Sequence, residues 1–415
     1  MTEIPEFLSI DSGSRSVSLN SRDPAFYGNP NAVYAALHTH CPTFYWQEQK
    51  QWFFTGYDQV NSLLRDRRFG RQILHVASRE ELGLPQPLPH VRHFDAAEAH
   101  SLLELEPPDH TRLRTMVNRA FFARQIKKMK PEIAELAHRL IDRFEKDGET
   151  ELLSSFADII PVTMIARMIG IPEEMGPQLL KWSHAYVRMY LFGRTRADED
   201  AADQAAKEFS DYVKTVIAER RAQPAEDLLT RMIHTEHQGQ YLTEDELVST
   251  TIVLLNAGHE ATVHQIGNSV RTILDNGLPP DRLFHDDATT ARTVEECLRI
   301  GAPVHIFQRW ALEPVEIDGI SLKRGDKVSV ILAAANLDPR KFTDPLTFKQ
   351  DRAEASNLSF GAGIHFCIGA PLARLELNIA LPILFQRLPG LRLATEPVVK
   401  DVYHFHGLDR LDLVW

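Results

Sequence analysis

The sequence predicts a mainly α-helical protein with small β-sheets, an α+β fold. Apolar residues recur with the 3.6-residue period of a helix through most of 109–300, as in the stripe that contains Ile133, Leu136 and Leu140. Segments typical of strands are few and short. One long helix has both of its ends marked by capping residues.

The predicted strands lie mostly in two hairpins. Residues 1 to about 25 show no apolar periodicity and predict an irregular N-terminal lead-in. Aromatic and β-branched residues at 43–46 and 52–55 predict the first hairpin. Residues 315–320 and 323–331, which contain two glycine turns, predict the second.

The long helix begins at a capping box formed by Thr243 and Glu246 and ends at Asn276. These limits predict about 34 residues and a length of about 50 Å. Its centre carries Gly258 and Glu260, where a buried helix normally has leucine. Burying a carboxylate without partners costs several kcal/mol, so Glu260 is a candidate functional residue unless this face of the helix is solvated.

Charge and composition exclude several classes of protein. The 415 residues include 46 Lys and Arg against 57 Asp and Glu, a net charge of −11, which argues against a protein that mainly wraps nucleic acid. The first residues lack the pattern of an export signal, and no apolar run is long enough to cross a bilayer. These observations predict a cytoplasmic protein that binds neither nucleic acid nor membrane.

The chain has three cysteines, at Cys41, Cys297 and Cys367, too few for a disulfide framework or a four-cysteine metal site. We interpret Cys41 and Cys297 as small buried apolar residues. Cys367 differs because Gly361, Gly363 and Gly369 surround it and a helix follows it. A thiol before a helix N-terminus predicts a lowered pKa, and glycines allow a flat partner to approach the backbone. A nucleophilic pair of Cys367 with a nearby histidine is the alternative.

The segment Phe360-x-x-Gly363-x-His365-x-Cys367-x-Gly369 resembles the haem-binding loop of the cytochrome P450 superfamily. The resemblance implies haem b between the long central helix and the helix after the cysteine loop, with the Cys367 thiolate as the metal ligand. It assigns haem contacts to Phe360, Gly361, Gly363 and Gly369, and propionate contacts to His110, Arg114, Arg309 and His365.

Glu296-x-x-Arg299 resembles a helix signature of the same family, and Arg352 matches an arginine that completes its charge cluster. An acid and a base three residues apart lie on one helix face. The implied role is structural support for the haem loop, which requires that the cluster be buried and multiply bonded.

The centre of the long helix resembles the family's oxygen-activation segment, in which a glycine makes room beside the iron and an acid supplies protons. The acid is Glu260, but Ala261 replaces the usual threonine. We expect Thr262, a water molecule or the substrate to replace its hydroxyl. By position, Ala257, Val304 and His305 are expected to contact substrate.

The segments expected to line the substrate pocket mix apolar residues with basic ones. The basic residues are His90, Arg92, His93, Arg188 and His305. A hydrophobic substrate with a polar or anionic end is therefore compatible with the sequence, although such residues more often lie on a solvated surface.

The resemblance implies that residues 1–415 form one haem-thiolate monooxygenase domain, expected to be a monomer, that uses O2 to oxidise a hydrophobic small molecule. No nucleotide-binding fingerprint or four-cysteine cluster indicates a fused reductase, so ferredoxin and ferredoxin reductase are the expected electron donors. Seven Lys and Arg at 109–131 predict either a ferredoxin-docking patch or a solvated face. The alternatives are a peroxide-driven or coupling haem-thiolate enzyme, a haem-thiolate sensor and a haem-free Cys/His hydrolase.

Overall fold

The computed structural model describes residues 3–121, 123–191, 193–354 and 356–415. Its α-helices are α1 (Pro24–Gly28), α2 (Asn31–His40), α3 (Tyr57–Leu63), α4 (Arg92–Glu98), α5 (Asp109–Ala120), α6 (Ala123–Lys128), α7 (Lys130–Ile141), α8 (Ile159–Ile169), α9 (Gly176–Val187), α10 (Arg196–Ala222), α11 (Leu228–His234), α12 (Glu244–Asp275), α13 (Pro280–Leu283), α14 (Asp287–Ile300), α15 (Leu332–Ala335) and α16 (Ala370–Arg387).

The strands are β1 (Ser9–Asp11), β2 (Ser16–Ser18), β3 (Thr43–Trp46), β4 (Gln51–Phe54), β5 (Phe69–Gly70), β6 (Glu149–Glu151), β7 (Glu236–His237), β8 (Gln240–Tyr241), β9 (Ile306–Ala311), β10 (Val315–Ile317), β11 (Ile320–Leu322), β12 (Lys327–Ile331), β13 (Arg392–Leu393), β14 (Val398–Val399), β15 (Leu408–Arg410) and β16 (Asp412–Val414). The prediction of a mainly α-helical fold with small sheets is confirmed.

The long helix α12 follows its predicted limits. Thr243 Oγ1 accepts a hydrogen bond from the Glu246 N–H at 3.2 Å, and Glu246 Oε2 accepts one from the Thr243 N–H at 2.9 Å. Its residues are buried along most of its length, and it packs against α8, α9, α10, α14 and α16. Capping therefore sets where the helix begins, and packing on all sides stabilises it.

The main sheet has seven strands in the order β1-β2-β3-β4-β12-β9-β5. The predicted hairpin of β3 and β4 is confirmed, with Phe44 opposite Phe53. The second predicted hairpin is wrong in part. β10 pairs with β11 across the turn, whereas β12 runs parallel to β4 and antiparallel to β9 in the main sheet.

The prediction of an irregular lead-in over residues 1–25 is also wrong. β1 and β2 pair with each other, and β2 pairs in parallel with β3 at the edge of the main sheet. Leu8 and Val17 are 4% and 0% exposed. Two short strands separated by a turn give little local pattern, so only their pairing with the sheet reveals them.

None of the helices in the described residues is both long enough and apolar enough to cross a membrane.

Candidate active site

The middle of α12 carries an accessible face of small side chains. Residues 247–256 are buried, but Ala257 is exposed and Ala261 is half-buried. Residues four positions apart lie on the same face of a helix, so these two alanines share one face. That face is the part of α12 where a bulky group can approach the helix backbone.

Gly258 points in a different direction from this face. A Cβ atom on Gly258 would lie 2.9 Å from Cγ1 of Ile165, in the neighbouring α8. The glycine therefore allows α8 to pack closely on α12. The expectation that the glycine makes room beside the iron stays a prediction, with Ala257 on the accessible face next to it.

The cysteine loop is a tight turn that requires glycine. Gly361 and Gly363 have φ values of 69° and 74°. A Cβ atom on Gly363 would lie 2.2 Å from the carbonyl oxygen of Leu64. The Cys367 N–H donates a hydrogen bond to the carbonyl oxygen of Phe360 at 3.0 Å, which closes the turn just before α16. The loop thus holds the thiol in a fixed position at a helix start.

Burial raises the pKa of the Cys367 thiol above its usual value, although the backbone N–H groups of Gly369 and Ala370 and the charge of Arg114 act in the opposite direction. The sequence-based prediction of a lowered pKa is therefore wrong for the protein alone. The helix start supplies the expected donors, but desolvation of the thiolate outweighs them. A bound metal ion deprotonates a coordinating thiol, so this thiol suits metal ligation better than free nucleophilic catalysis.

Four predicted basic residues lie in buried or partly buried positions near the loop. His110 Nε2 and His365 Nδ1 are buried and have no hydrogen-bond partner among the described residues, and their rings are 4.4 Å apart. His365 Nε2 lies 3.1 Å from Glu106 Oε1. Arg114 donates to the carbonyl oxygen of Phe366 at 2.6 Å.

Arg309 is 3% exposed, and it forms no ion pair with a carboxylate in the part of the chain that the structure describes. Burial lowers the pKa of Arg309 to about 9. Burial also lowers the pKa of His110 to about 4, and the charges of His365 and Arg114 act in the same direction. Buried donors in such number normally face an anion.

These residues fit a haem group. A protoporphyrin carries two carboxylates, which the orphaned nitrogen of His110 and the unpaired guanidinium of Arg309 suit. Cys367 is a partly buried thiol on a glycine turn, which suits a thiolate ligand to iron.

The structure brings Glu296, Arg299 and Arg352 into one buried cluster. Arg299 and Glu296 are 2% and 4% exposed, and two N–H groups of Arg299 donate to the carboxylate at 2.7 and 2.8 Å. Arg352 Nε lies 3.2 Å from the same carboxylate, and the Lys349 N–H donates to it at 2.9 Å. The cluster is therefore multiply bonded, as its proposed structural role requires.

Asn336 links this cluster to the cysteine loop, and the sequence analysis did not single it out. Its carbonyl oxygen accepts from Arg299 at 2.9 Å, and its side chain donates to Ser359 Oγ at 2.8 Å. Asn336 Oδ1 also accepts from the Leu358 N–H at 2.6 Å. Asn336 is fully buried, and because its burial and these contacts exist only in the folded chain, the local sequence carried no signal for its role.

Glu260 is 6% exposed and lies among imidazoles. Nε2 of His259 is 3.4 Å from its carboxylate, and Nε2 of His184 and of His264 are each 3.6 Å away. Burial opposes ionisation of Glu260, but His259 and His264 outweigh it and hold the pKa of the carboxyl well below its usual range. Thr262 is 5% exposed and lies about 100° around the helix from Ala261.

The structure places the two predicted substrate contacts, residues 304 and 305, in different environments. Val304 is half-buried. His305 is 3% exposed, its Nδ1 lies 2.8 Å from the Tyr34 hydroxyl, and its ring stacks on His406 at 4.6 Å. The prediction that His305 contacts substrate is wrong, because its side chain points into this buried polar group behind the strand.

A mainly α-helical chain with one thiol on a glycine turn, beside orphaned donors suited to carboxylates, has the features of a haem-thiolate oxidoreductase. The chain belongs to the cytochrome P450 family, because the family's sequence model, described as Cytochrome P450, matches residues 41–274 and 288–396. Its relatives are named as monooxygenases and hydroxylases, and this chain is an enzyme of that kind.

Two curated relatives illustrate the similarity. The polyketide biosynthesis cytochrome P450 PksS of Bacillus subtilis is 35% identical over 347 residues, which cover 83% of this chain and 84% of that protein. The cytochrome P450 monooxygenase PikC of Streptomyces venezuelae is 36% identical over 403 residues, covering 94% and 92%. A crystal structure of P450BioI with an acyl carrier protein ligated to hexadec-9Z-enoic acid matches with a TM-score of 0.87 and 32% identity, covering 94% of this chain and 99% of that one.

Proposed function

We propose that residues 1–415 form one haem domain that uses O2 to hydroxylate, or otherwise oxidise, a small or medium hydrophobic compound. The observation that carries this proposal is the combination of three features: the Cys367 thiol, the buried His110 Nε2 without a hydrogen-bond partner among the described residues, and the buried Arg309 guanidinium without an ion pair there. Haem b, when bound, supplies the activation of O2 and the oxidation of the substrate. Cys367 would be its axial ligand, and His110, Arg114, Arg309 and His365 would hold its carboxylates.

The proposal is tested by the ferrous carbon monoxide difference spectrum of the purified protein. We expect the red-shifted band that thiolate ligation gives, and we expect Cys367→Ser to lose it. Cys41→Ala is the matched control, since Cys41 is 3% exposed and is interpreted as a packing residue. A thiolate band that survives in Cys367→Ser contradicts the ligand assignment.

In this proposal Glu260 carries the proton that O2 activation consumes. Its carboxylate lies against the imidazoles of His184, His259 and His264, which can exchange a proton with it. Ala261 contributes no hydroxyl, and Thr262, a water molecule or the substrate takes that role. Ala261→Thr tests this arrangement: we expect a change in the coupling of reductant consumption to product formation. Unchanged coupling together with an unchanged product spectrum contradicts it.

Three of the five basic residues in the expected substrate segments, and Arg71 beside them, are paired with carboxylates. The pairs are Arg71 with Glu104, His90 with Glu199, His93 with Asp203 and Arg188 with Asp198. These pairings favour an uncharged or weakly polar substrate over one that ends in a carboxylate. The P450BioI structure is a complex with an acyl carrier protein ligated to hexadec-9Z-enoic acid, a molecule with a long apolar chain.

A binding screen tests this substrate class. The low-spin to high-spin shift of the haem spectrum reports substrate binding, and matched pairs of alcohols and acids with equal chain lengths isolate the effect of the charge. We expect the alcohol of each pair to bind at least as tightly as the acid. Consistently tighter binding of the acids contradicts the assignment.

For the electron donor we propose a ferredoxin that docks near α5 and α6. Lys127 and Lys128 are exposed, and neither forms an ion pair with a residue that the structure describes. Arg112 is occupied by an ion pair with Glu246. The side chain of Arg124, which the sequence analysis placed in the same patch, lies outside the described residues. Lys127→Glu should slow reduction by ferredoxin and flatten its dependence on salt, and no change in either contradicts docking here.

A peroxide-driven or coupling haem-thiolate enzyme is the second candidate. The observation that favours it is Ala261, which places a methyl group and no hydroxyl on the accessible face of α12. Product formation with hydrogen peroxide but none with ferredoxin and its reductase would establish it. Haem binding without any substrate-dependent O2 consumption would instead indicate a sensor or carrier.

A further inference from the structure

Side chains from α9 and α12 converge on one oxygen of Glu260. Nε2 of His184 lies 3.6 Å from Glu260 Oε2, and Nε2 of His259 lies 3.4 Å from the same oxygen. The three atoms are all within 4.8 Å of one another. Two imidazoles and a carboxylate from two different helices thus form a compact group of potential metal ligands.

The proton positions leave a lone pair in this group. His259 Nδ1 lies 2.9 Å from the carbonyl oxygen of Leu255, one helical turn earlier. A carbonyl oxygen only accepts hydrogen bonds, so Nδ1 carries a proton and the ring can offer a lone pair only at Nε2. His259 is 2% exposed, and its Nε2 has no hydrogen-bond partner in the described residues. When Nε2 carries a proton, the imidazolium holds Glu260 ionised; when it does not, this nitrogen and the Glu260 oxygen are two ligand atoms that a metal ion can join.

The other oxygen of Glu260 has the opposite environment. Oε1 lies 3.6 Å from Nε2 of His264 and 3.9 Å from Nζ of Lys400, both of which can donate protons. The carboxylate is oriented with Oε1 toward His264 and Lys400 and Oε2 toward the imidazoles of His184 and His259. Carboxylates that bind metals are commonly held in this way by hydrogen bonds to the second oxygen.

We propose that His184, His259 and Glu260 form a zinc site that joins α9 to α12. Ligand atoms about 2.0–2.1 Å from a tetrahedral zinc ion lie about 3.3 Å apart, close to the 3.4 and 3.6 Å between each imidazole and the carboxylate oxygen. The side chain of His184 is 54% exposed, so its ring is free to move closer to His259. A water molecule supplies the fourth ligand.

The ligand set selects zinc over the abundant hard cations. Imidazole nitrogens suit zinc, whereas Ca²⁺ and Mg²⁺ prefer oxygen ligands. The leucine carbonyl that fixes the His259 ring is the outer partner that zinc-binding histidines usually have. His184 also lines an open groove between α9 and α10, which gives the ion a path from solvent.

Zinc bound here would occupy Glu260 and restrain α9 against α12. This consequence rests on the proposed role of Glu260 in proton transfer. Turnover supported by ferredoxin should then fall as the site fills with zinc, and a chelator should restore it. Zinc binding itself does not depend on that role.

The experiment uses the full-length, tag-free holoenzyme, dialysed against ZnCl2 and, in parallel, against MgCl2, with bound metal measured by elemental analysis. We expect one zinc ion per chain and no bound magnesium. His184→Ala should weaken zinc binding at least about 100-fold, because losing even an outer partner of a ligand costs 10–100-fold. The zinc X-ray absorption spectrum should show imidazole and oxygen ligands in the wild type.

His285→Ala is the matched control. The side chain of His285 is 58% exposed, and its Nε2 lies 2.8 Å from a carboxylate oxygen of Asp286, so it is a similar histidine beside an acid elsewhere on the surface. It should bind zinc as the wild type does. Absence of stoichiometric zinc, or equal losses in His184→Ala and His285→Ala, overturns the proposal. Zinc bound through His184 without inhibition of turnover supports the site and instead contradicts the role of Glu260.

Discussion

Asp158 is a carboxylate whose ionisation the fold opposes. It lies between the π-helical turn Leu153–Ala157 and α8, and its backbone N–H donates to the carbonyl oxygen of Leu153. Burial and the charge of Glu151 raise the pKa of Asp158 to about 6 from a usual value of 3.8. The turn before Asp158 is also helical, so Asp158 is not at a free helix N-terminus. The helix dipole therefore stabilises its ionised form only slightly.

The sign of the effect on stability follows from this raised pKa. The folded state binds a proton more tightly than the unfolded state, so ionised Asp158 destabilises the fold. The cost is absent below pH 3.8, grows as the pH rises toward the folded pKa, and reaches a plateau above it. A difference of 2.2 pH units corresponds to about 3 kcal/mol at pH 8 and to about 1.6 kcal/mol at pH 5.

Asp158→Asn removes this cost while it keeps the shape of the side chain. The variant should be more stable than the wild type, by about 3 kcal/mol at pH 8 and about half of that at pH 5. Urea unfolding of the holoenzyme followed by circular dichroism between pH 5 and 8 measures both values. Asp409→Asn, at an exposed position, is the control. A gain that does not change with pH, or a loss of stability at pH 8, refutes the reasoning.

Two further substitutions test the scaffold of the haem loop. Glu296→Gln should reduce the free energy of unfolding by about 3–5 kcal/mol, because it leaves the buried Arg299 without a counter-charge. The control Glu295→Gln should cost under about 1 kcal/mol, because the arginine partner of Glu295 is one-third exposed. Equal midpoints of urea unfolding for the two variants would contradict this difference. Gly363→Ala should prevent stoichiometric haem incorporation, because the new Cβ would lie 2.2 Å from a carbonyl oxygen. The haem absorbance per chain measures this incorporation. The control Gly148→Ala should retain haem, because Gly148 has a similar φ but no atom within 4 Å of the position of its Cβ. Normal haem content in both variants would show that the clash is relieved at no cost.

The parts of the fold that local chemistry determines were predictable. The capping box at Thr243 and the turn at Asn276 mark the ends of α12 because they satisfy backbone groups within a few residues. The pairing of β12 was not predictable in the same way, since β4 lies far away in the chain and local alternation does not identify a partner strand. β1 and β2 were missed for the same reason, because only the main sheet gives these three-residue segments a partner.

The candidate site also contains some features that the local sequence determines and others that depend on contacts between distant parts of the chain. The residues of the cysteine loop are close in sequence, so their spacing identified the thiol and its glycines together. The direction of its pKa shift was wrong because the spacing shows the helix start but not the burial of the thiol. His305 was misplaced because it lies just before β9 and bonds to Tyr34 of α2, a partner 271 residues away that the local sequence does not identify.

Consecutive side chains point in different directions around α12, so the departure from the family pattern at Ala261 leaves the environment of Glu260 unchanged. Ala257 and Ala261 share the accessible face, Gly258 contacts α8, and Glu260 lies among histidines from α9 and from its own helix. Consecutive residues point about 100° apart, so the loss of a hydroxyl at 261 does not change the partners of Glu260. The acid and the missing hydroxyl are therefore separable features. A substitution at 261 alters the face expected to meet O2 and substrate, whereas the buried carboxylate keeps the imidazoles that hold it ionised.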